Sequence, residues 1–573
     1  MTSQELYNHW LVSYPEYRDE LAALADNPAE LEDRFYRSLE FGTGGMRGVM
    51  GAGENRVNAV IVRRVTRALA GMIRETDPTG KRHVVIAFDS RRKSDVFARE
   101  AAVTLASCGV PVWLFESLRP VPMLSFAIRF TGAIAGVEIT ASHNPPQYNG
   151  YKVYWSDGAQ LPPDHADEII RRLNDDPSFR PMTMDQGREK GLIRSMPYVV
   201  DDAYIDEIKG LAIQPELLRE RGGELALAYS PVHGSGNVWV RRALREAGVA
   251  NLLVVKEQEE PDGAFPTVKA PNPEERDTMA MVVELAAKNG ADVAFATDPD
   301  SDRLGVAARE PDGGYRLITG NQIGCLLLYY ILSQKRARGE LPGNGTVITT
   351  IVSSSLFKSI ADGFGVETRE CLTGFKFIAE IIERLEVEGR RFLFGYEESY
   401  GYLSNPNVRD KDAVNASLLV AELALWLKVS GKTLLGLLDE VYGRFGYYGD
   451  YSVSVQMPGK DGLASMRGMM AGLRSDPPKG FGGKATIAVR DYLSGKRIAL
   501  GMGEESELAL PKSDVLYFEL GDGDWICVRP SGTEPKIKLY SCAKAGSLGE
   551  AEAAAKARVE ELKAIITGGA GGQ

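Results

Sequence analysis

Thr140-Ala141-Ser142-His143-Asn144-Pro145-Pro146 follows the mostly apolar run 133–139. The run reads as a buried strand, and the two prolines stop regular structure just beyond it. Open α/β sheets carry their chemistry past the carboxyl ends of strands, so Ser142 is a candidate nucleophile. No Gly-x-Ser-x-Gly elbow surrounds it, which weighs against a hydrolase of that fold. The plain alternative is a loop hydroxyl that caps its own backbone. Three further loops bear on the choice.

Working outward, strand and helix patterns alternate. The first forty residues read as amphipathic helix and end at Gly42-Thr43-Gly44-Gly45. Strands are expected at Val84–Phe88, 111–115 and 133–139, with helices at 94–108 and 121–130. The rhythm returns with strands near Leu225, Leu252 and Val293, and again near Val347, Val366 and Phe392. These are three α/β units. After Tyr442 strands dominate, notably at 525–528 and 536–541, which predicts an α+β domain. Ser547-x-x-Glu550 reads as a capping box that opens a helix to about Ile566, and the tail 568–573 as disordered. The expected domains are 1–200, 201–320, 321–442 and 443–573.

Composition narrows the class. With 44% hydrophobic and 25% charged residues, the chain is an ordinary globular protein rather than a disordered one. Lys+Arg 67 against Asp+Glu 78 leaves −11, which excludes a typical nucleic-acid binder but not a local basic pocket for an anionic substrate. The five cysteines, Cys108, Cys325, Cys371, Cys527 and Cys542, are scattered and never paired as Cys-x-x-Cys. Reduced thiols and a cytoplasmic setting are expected. Residues 1–20 lack an apolar signal core, and the longest apolar stretch, 325–332, is too short to span a membrane.

The second loop is Thr297-Asp298-Pro299-Asp300-Ser301-Asp302-Arg303, between expected strands. Three carboxylates at alternate positions suit a hard divalent cation. An EF-hand is excluded, because Arg303 and Arg309 stand where it needs glycine and glutamate. An acidic surface turn is the alternative; three carboxylates followed by arginine favour the metal. The third loop is Phe394-Gly395-Tyr396-Glu397-Glu398-Ser399-Tyr400-Gly401. Its carboxylates, hydroxyl and aromatics suit a polyhydroxylated ligand, although alone it reads as a polar turn. The run Val408-Arg409-Asp410-Lys411-Asp412 that follows reads as a solvated face. The fourth loop is Arg529-Pro530-Ser531-Gly532-Thr533-Glu534-Pro535-Lys536. A forked guanidinium, two hydroxyls and a glycine favour a phosphate clamp over a plain hairpin turn.

With all four loops in order, the chain resembles the α-D-phosphohexomutase superfamily of phosphoglucomutases and phosphomannomutases over nearly its whole length. The subgroup is the long one, with bacterial phosphoglucomutases and phosphopentomutase-like enzymes, to which Asn149-Gly150-Tyr151-Lys152-Val153-Tyr154-Trp155 is close. Phe41-Gly42-Thr43-Gly44-Gly45-Met46-Arg47-Gly48 resembles the family's N-terminal arginine loop, and Thr373-Gly374-Phe375-Lys376 its domain-3 loop.

The resemblance implies three α/β domains with mixed sheets and a C-terminal α+β, TATA-binding-protein-like domain around a central cleft. It implies a phosphoryl group on Ser142, and Mg²⁺ held by Asp298, Asp300, Asp302 and a phosphoserine oxygen. Lys152 would be an acid or base, with Arg47 and Arg303 offsetting charge. Thr373, Gly374, Glu397 and Ser399 would bind substrate, and Arg529, Ser531, Gly532 and Thr533 the non-reacting phosphate. Shorter members carry a histidine after Glu-x-Ser; here Tyr400-Gly401-Tyr402 stands there, and Lys411 is the candidate second acid–base group. His143 and His233 are assigned no chemistry. The implied reaction is glucose 1-phosphate to glucose 6-phosphate, with glucose 1,6-bisphosphate as activator or intermediate. The partners are sugar phosphates rather than nucleic acid or membrane, in a monomer or small homo-oligomer. Phosphomannomutase, phosphopentomutase and sugar-bisphosphate synthase are the rivals on this scaffold. A non-catalytic sugar-phosphate sensor is disfavoured, since Ser142 and the aspartates are intact.

Overall fold

The computed structural model describes residues 1–42, 44–457, 462–501, 503–530 and 536–567. They form two compact units. The first holds Met1–Thr319, Ile382–Arg384 and Ser399–Gly431; the second holds Gly320–Ile381, Leu385–Glu398 and the chain from Lys432 onward.

In the first unit, six strands build one sheet: β1 (Gly45–Val49), β2 (Val84–Phe88), β3 (Val112–Leu114), β4 (Ala135–Ile139), β5 (Tyr148–Trp155) and β6 (Ile193–Ser195). Their order is β1-β5-β4-β2-β3-β6. The inner strands β2, β3 and β4 are parallel, because the helices Ser94–Ser107 and Val121–Thr131 carry the chain back between them. β5 runs antiparallel to both of its neighbours, β4 and β1, so the sheet is mixed. β2 and β4 are buried along their length, as apolar runs with both faces covered should be. Along β4 the side chains alternate. Ala135, Val137 and Ile139 join Val84, Ile86, Tyr151 and Val153 in the main apolar core. Gly136 faces the other way, where a Cβ would strike Ile128 and Leu124 of the helix Val121–Thr131.

Upstream, the helices Ser3–Ser13 and Pro28–Phe35 pack Tyr7, Trp10 and Phe35 into that core. Trp10 Nε1 donates to buried Glu54 at 2.8 Å, and Arg64 grips the same carboxylate. This anchors the segment that leads into β1.

The second sheet comprises β7 (Ala226–Ser230), β8 (Asn251–Val254), β9 (Val293–Thr297), β10 (Leu304–Arg309) and β11 (Tyr315–Ile318), in the order β11-β10-β9-β7-β8. β9 and β10 are antiparallel neighbours, so residues 298–303 form the tip between two strands, as expected. The helix Ala413–Val429 is apolar all round and buried, packed on the helix Gly236–Ala247. Among the described residues, no single helix is long and apolar enough to cross a membrane.

In the second unit, the strands Glu367–Cys371, Gly345–Thr350 and Arg391–Glu397 run parallel. A separate antiparallel sheet joins Tyr447–Gln456, Lys536–Ala545, Trp525–Pro530, Leu516–Leu520 and Lys484–Asp491, covered by the helix Leu548–Ile566. That helix starts and stops where the sequence predicts. Only half of the expected capping box is seen: Ser547 Oγ accepts from the Glu550 amide at 3.4 Å. The tail 568–573 lies outside the described residues. None of the five cysteines forms a disulfide among the described residues.

Candidate functional site

Ser142 sits three residues past β4, nearly buried, at φ 52°. A serine in the left-handed region is strained, and such strain persists only where the surroundings impose it. Here they do. Thr140 Oγ1 accepts from the Ser142 amide at 2.8 Å and donates to Asp89 at 2.7 Å. The guanidinium of Arg91 donates to the carbonyls of Ser142 and Asn144 at 2.5 Å, Pro145 at 3.0 Å and Tyr148 at 3.1 Å. Asp89 lies 3.4 Å from Arg91, and neither side chain is exposed. Residues 89–91 follow strand β2 as Ser142 follows β4. Sequence reading missed them, because apart from its place at a strand end Asp89-Ser90-Arg91 looks like any polar turn.

Ser142 Oγ reaches Asp298 Oδ2 at 3.1 Å and His143 Nδ1 at 3.1 Å. Burial, helped by nearby arginines, holds His143 well below the usual imidazole range, so the ring is neutral. It serves as a hydrogen-bond partner of the serine.

Asp298, Asp300 and Asp302 are buried and bring one oxygen each within 4.8 Å of one another. Burial and the other two carboxylates push Asp298 well above the usual carboxylate range. Asp302 is held low: burial opposes its charge, but Lys411, Lys152 and Arg303 outweigh it. Asp300 Oδ1 and Asp302 Oδ1 are buried without a hydrogen-bond partner among the described residues. Two orphaned hard oxygens beside a carboxyl lifted by its neighbours fit a divalent cation. The loop is braced from below by Pro231–Ser235, where Val232 and His233 both take positive φ and the Ser235 amide and hydroxyl donate to the Pro299 carbonyl at 2.8 Å. His233 is thus a structural turn residue, bonded to the Glu260 carbonyl and Thr267.

Two lysines meet this triad. Lys152, on β5, lies 2.8 Å from Asp300 Oδ2 and 3.5 Å from Asp302 Oδ2. Burial opposes its charge, yet the two aspartates raise it above the ordinary lysine value. Lys411 lies 3.2 Å from Asp302 and 3.1 Å from Asp410. This corrects the reading of 408–412 as a solvated face. Val408, Arg409, Asp410, Lys411 and Asp412 are all buried. The segment is held inside by partners: Asp410 also accepts from Tyr154 at 2.7 Å and Gln160 at 3.0 Å, and Asp412 accepts from Tyr204 at 2.9 Å. Buried charges persist only with such partners.

β1 brings Arg47 to the same loop, where it donates to Asn144 Oδ1 at 2.8 Å. Gly150 permits this, since a Cβ there would lie 2.5 Å from the Thr140 carbonyl and 2.7 Å from that of Met46. Arg303 bonds Glu274 at 2.5 Å and stands 3.9 Å from Asp302. Ser399 belongs to this first unit.

In the second unit, Thr373 and Gly374 precede the helix Phe375–Val387, and Glu397 ends a strand. Arg529, on Trp525–Pro530, keeps its charge: burial opposes it, but Tyr540, Glu398 and Glu397 more than compensate. Ser531, Gly532 and Thr533 lie outside the described residues.

A strained serine held against a buried acidic triad and two lysines, on mixed α/β sheets, defines an enzyme of the phosphoryl-moving isomerase class. The chain belongs to the phosphoglucomutase/phosphomannomutase family, whose four domain models match most of its length. Domain I (alpha/beta/alpha) covers residues 38–179, domain II 202–313, domain III 319–445 and the C-terminal domain 484–566. Phosphoglucomutase of Staphylococcus aureus (strain MRSA252) is 38% identical over 524 residues, 90% of this chain and 92% of that protein. Phosphoglucomutase of Staphylococcus epidermidis is 38% identical over 516 residues, 89% and 92% of the two chains. Two solved structures share the fold. Parafusin (pp63) of Paramecium has a TM-score of 0.67 at 18% identity, covering 93% of this chain and 95% of its own. A family protein of Burkholderia thailandensis has 0.66 at 21%, covering 92% and 98%.

Proposed function

We propose that this enzyme interconverts α-D-glucose 1-phosphate and glucose 6-phosphate through a phosphoserine at Ser142 and a bisphosphorylated sugar. The observation that carries this is the 3.1 Å contact of Ser142 Oγ with Asp298, beside lysines bound to Asp300 and Asp302. The relatives' name, phosphoglucomutase, supports glucose as the sugar.

In the first half-reaction the Oγ–P bond of phosphorylated Ser142 breaks as a P–O bond forms to the sugar's free hydroxyl. That hydroxyl's proton is taken up within the site, and Lys152 and Lys411 are the acid–base groups we assign, each accepting the proton only as the neutral amine and returning it as the ammonium. In the second half-reaction the other phosphate of the bisphosphate returns to Ser142 Oγ, and the proton goes back to the sugar oxygen. Glucose 1,6-bisphosphate is therefore also the species that primes an unphosphorylated enzyme. Mg²⁺ held by Asp298, Asp300, Asp302 and Ser142 would supply charge stabilisation for the transferring group. Arg91 and Thr140 fix the serine, and Arg47 and Arg303 add positive charge. By the family pattern Glu397 and Ser399 take sugar hydroxyls, Thr373 and Gly374 contact substrate, and Arg529, Ser531, Gly532 and Thr533 hold the phosphate that stays. Four domains with boundaries at 201, 321 and 443 are supported by the four sheets, none of which crosses them. Five cysteines outside any disulfide support a reducing, cytoplasmic setting.

A coupled assay with three sugar 1-phosphates tests the substrate. Glucose and mannose share the C3 and C4 hydroxyls assigned to Glu397 and Ser399, whereas a pentose differs in ring and phosphate arm. A site built to bond hydroxyls rejects ligands that lack them. We expect kcat/KM highest for glucose 1-phosphate, then mannose 1-phosphate, with ribose 1-phosphate well behind. Equal values for ribose and glucose would make the enzyme a phosphopentomutase.

A further inference from the structure

Glu138 is the penultimate residue of β4, within an apolar run, and is fully buried. Its neighbours Val137 and Ile139 point into the apolar core, so Glu138 points to the other face. That face is polar near its end: Thr140 bonds Asp89 at 2.7 Å and Asp300 at 3.2 Å. Neither Glu138 Oε1 nor Oε2 has a hydrogen-bond partner among the described residues. A buried carboxyl with both oxygens unmatched is costly, and an aliphatic residue would pack there without that penalty. Glu138 therefore needs a reason other than packing.

Directly across the antiparallel pair β4–β5 stands Lys152. Opposed residues bring their Cβ atoms to about 5 Å, within reach of two long side chains. Yet the ammonium of Lys152 is spent on Asp300 Oδ2 and Asp302 Oδ2. Burial lifts the Glu138 carboxyl, and the charges it feels are those of Asp89, Asp300, Lys152 and Asp302. A cation held by Asp300 and Asp302 competes with Lys152 for those carboxylates. A displaced ammonium needs another acceptor, and the unmatched oxygens of Glu138 are the ones opposite it.

We propose that Glu138 is a positioning residue that receives the Lys152 ammonium when Asp300 and Asp302 engage the divalent cation. It thereby eases cation binding and keeps Lys152 aimed at the reacting atoms. The inference rests on the triad being the Mg²⁺ site.

Calorimetric titration of MgCl₂ into the full chain tests it without turnover. Glu138→Gln should raise the Kd for Mg²⁺ about tenfold, in the range typical of groups that orient a metal's surroundings. Glu138→Met, which also lacks the carboxylate, should do the same and serves if the glutamine variant fails to fold. Lys152→Met should bind Mg²⁺ at least as tightly as wild type, and adding Glu138→Gln to it should change nothing further. Unchanged affinity in both Glu138 variants overturns the proposal. So does a full Glu138→Gln effect in the Lys152→Met background, which would mean that Glu138 acts on the cation by its charge alone. Failure of the underlying metal reading looks different: wild type would not bind Mg²⁺, or Asp300→Asn would bind it as well as wild type, and the proposal would fall with it.

Discussion

At the scale of single residues, the serine's conformation depends on Arg91. One guanidinium ties four carbonyls of the 142–148 segment and is neutralised by Asp89. Lysine lacks the planar fork to do this. Removing one partner of a buried pair leaves the other uncompensated, at a cost of about 3–5 kcal/mol. Arg91→Met should therefore lower urea-unfolding stability by that order, and Arg91→Lys should lose most activity while remaining folded. Full activity in Arg91→Lys would show that the loop does not depend on the fork. Ser142 and the three aspartates were legible in the sequence because a strand-end hydroxyl and alternating carboxylates are unusual. Arg91 and Glu138 were not. An Asp-Ser-Arg-Arg cluster looks like any polar turn, and one glutamate in an apolar strand carries no local pattern; its meaning appears only once β5 sets Lys152 opposite.

At the scale of elements, 408–412 shows where charge patterning misleads. A run of alternating charges is solvated unless each group finds a partner, and the partners here come from residues some two hundred or more positions upstream: Tyr154, Gln160 and Tyr204. No local window contains them. The element also carries a pH signature. Burial lifts Asp412 to about 7 despite hydrogen bonds from Asn415 and Tyr204. An unfolded aspartate titrates near 3.9, so the folded state binds this proton more tightly. The resulting stability is full below about pH 3.9 and is lost as pH rises through about 7. Asparagine keeps the helix cap on Ala413–Val429 and cannot ionise. Relative to wild type, Asp412→Asn should thus gain thermal stability between about pH 5 and about pH 8. A difference in Tm that does not change with pH would contradict the assignment. Most strands and helices, by contrast, fell where periodicity put them, because buried parallel strands are apolar along their length.

At the scale of the whole molecule, family membership accounts for the four sheets and the order of the loops, while the chemistry assigned to Ser142 is the claim on which the rest depends. The net charge of −11 is compatible with an anionic substrate because the cations are local: Lys152, Arg303 and Lys411 lie against the acidic loop and Arg47 against the serine loop in the first unit, and Arg529 stands in the second. Ser531, Gly532 and Thr533, expected from their chemistry to hold a phosphate, lie outside the described residues. The most direct test is peptide mapping after incubation with ³²P-labelled glucose 1,6-bisphosphate. The account predicts a single labelled peptide containing Ser142, with the label discharged into sugar bisphosphate on adding glucose 1-phosphate. Ser142→Ala should take no label and show no mutase turnover. Label on another residue, or turnover retained by Ser142→Ala, would contradict it.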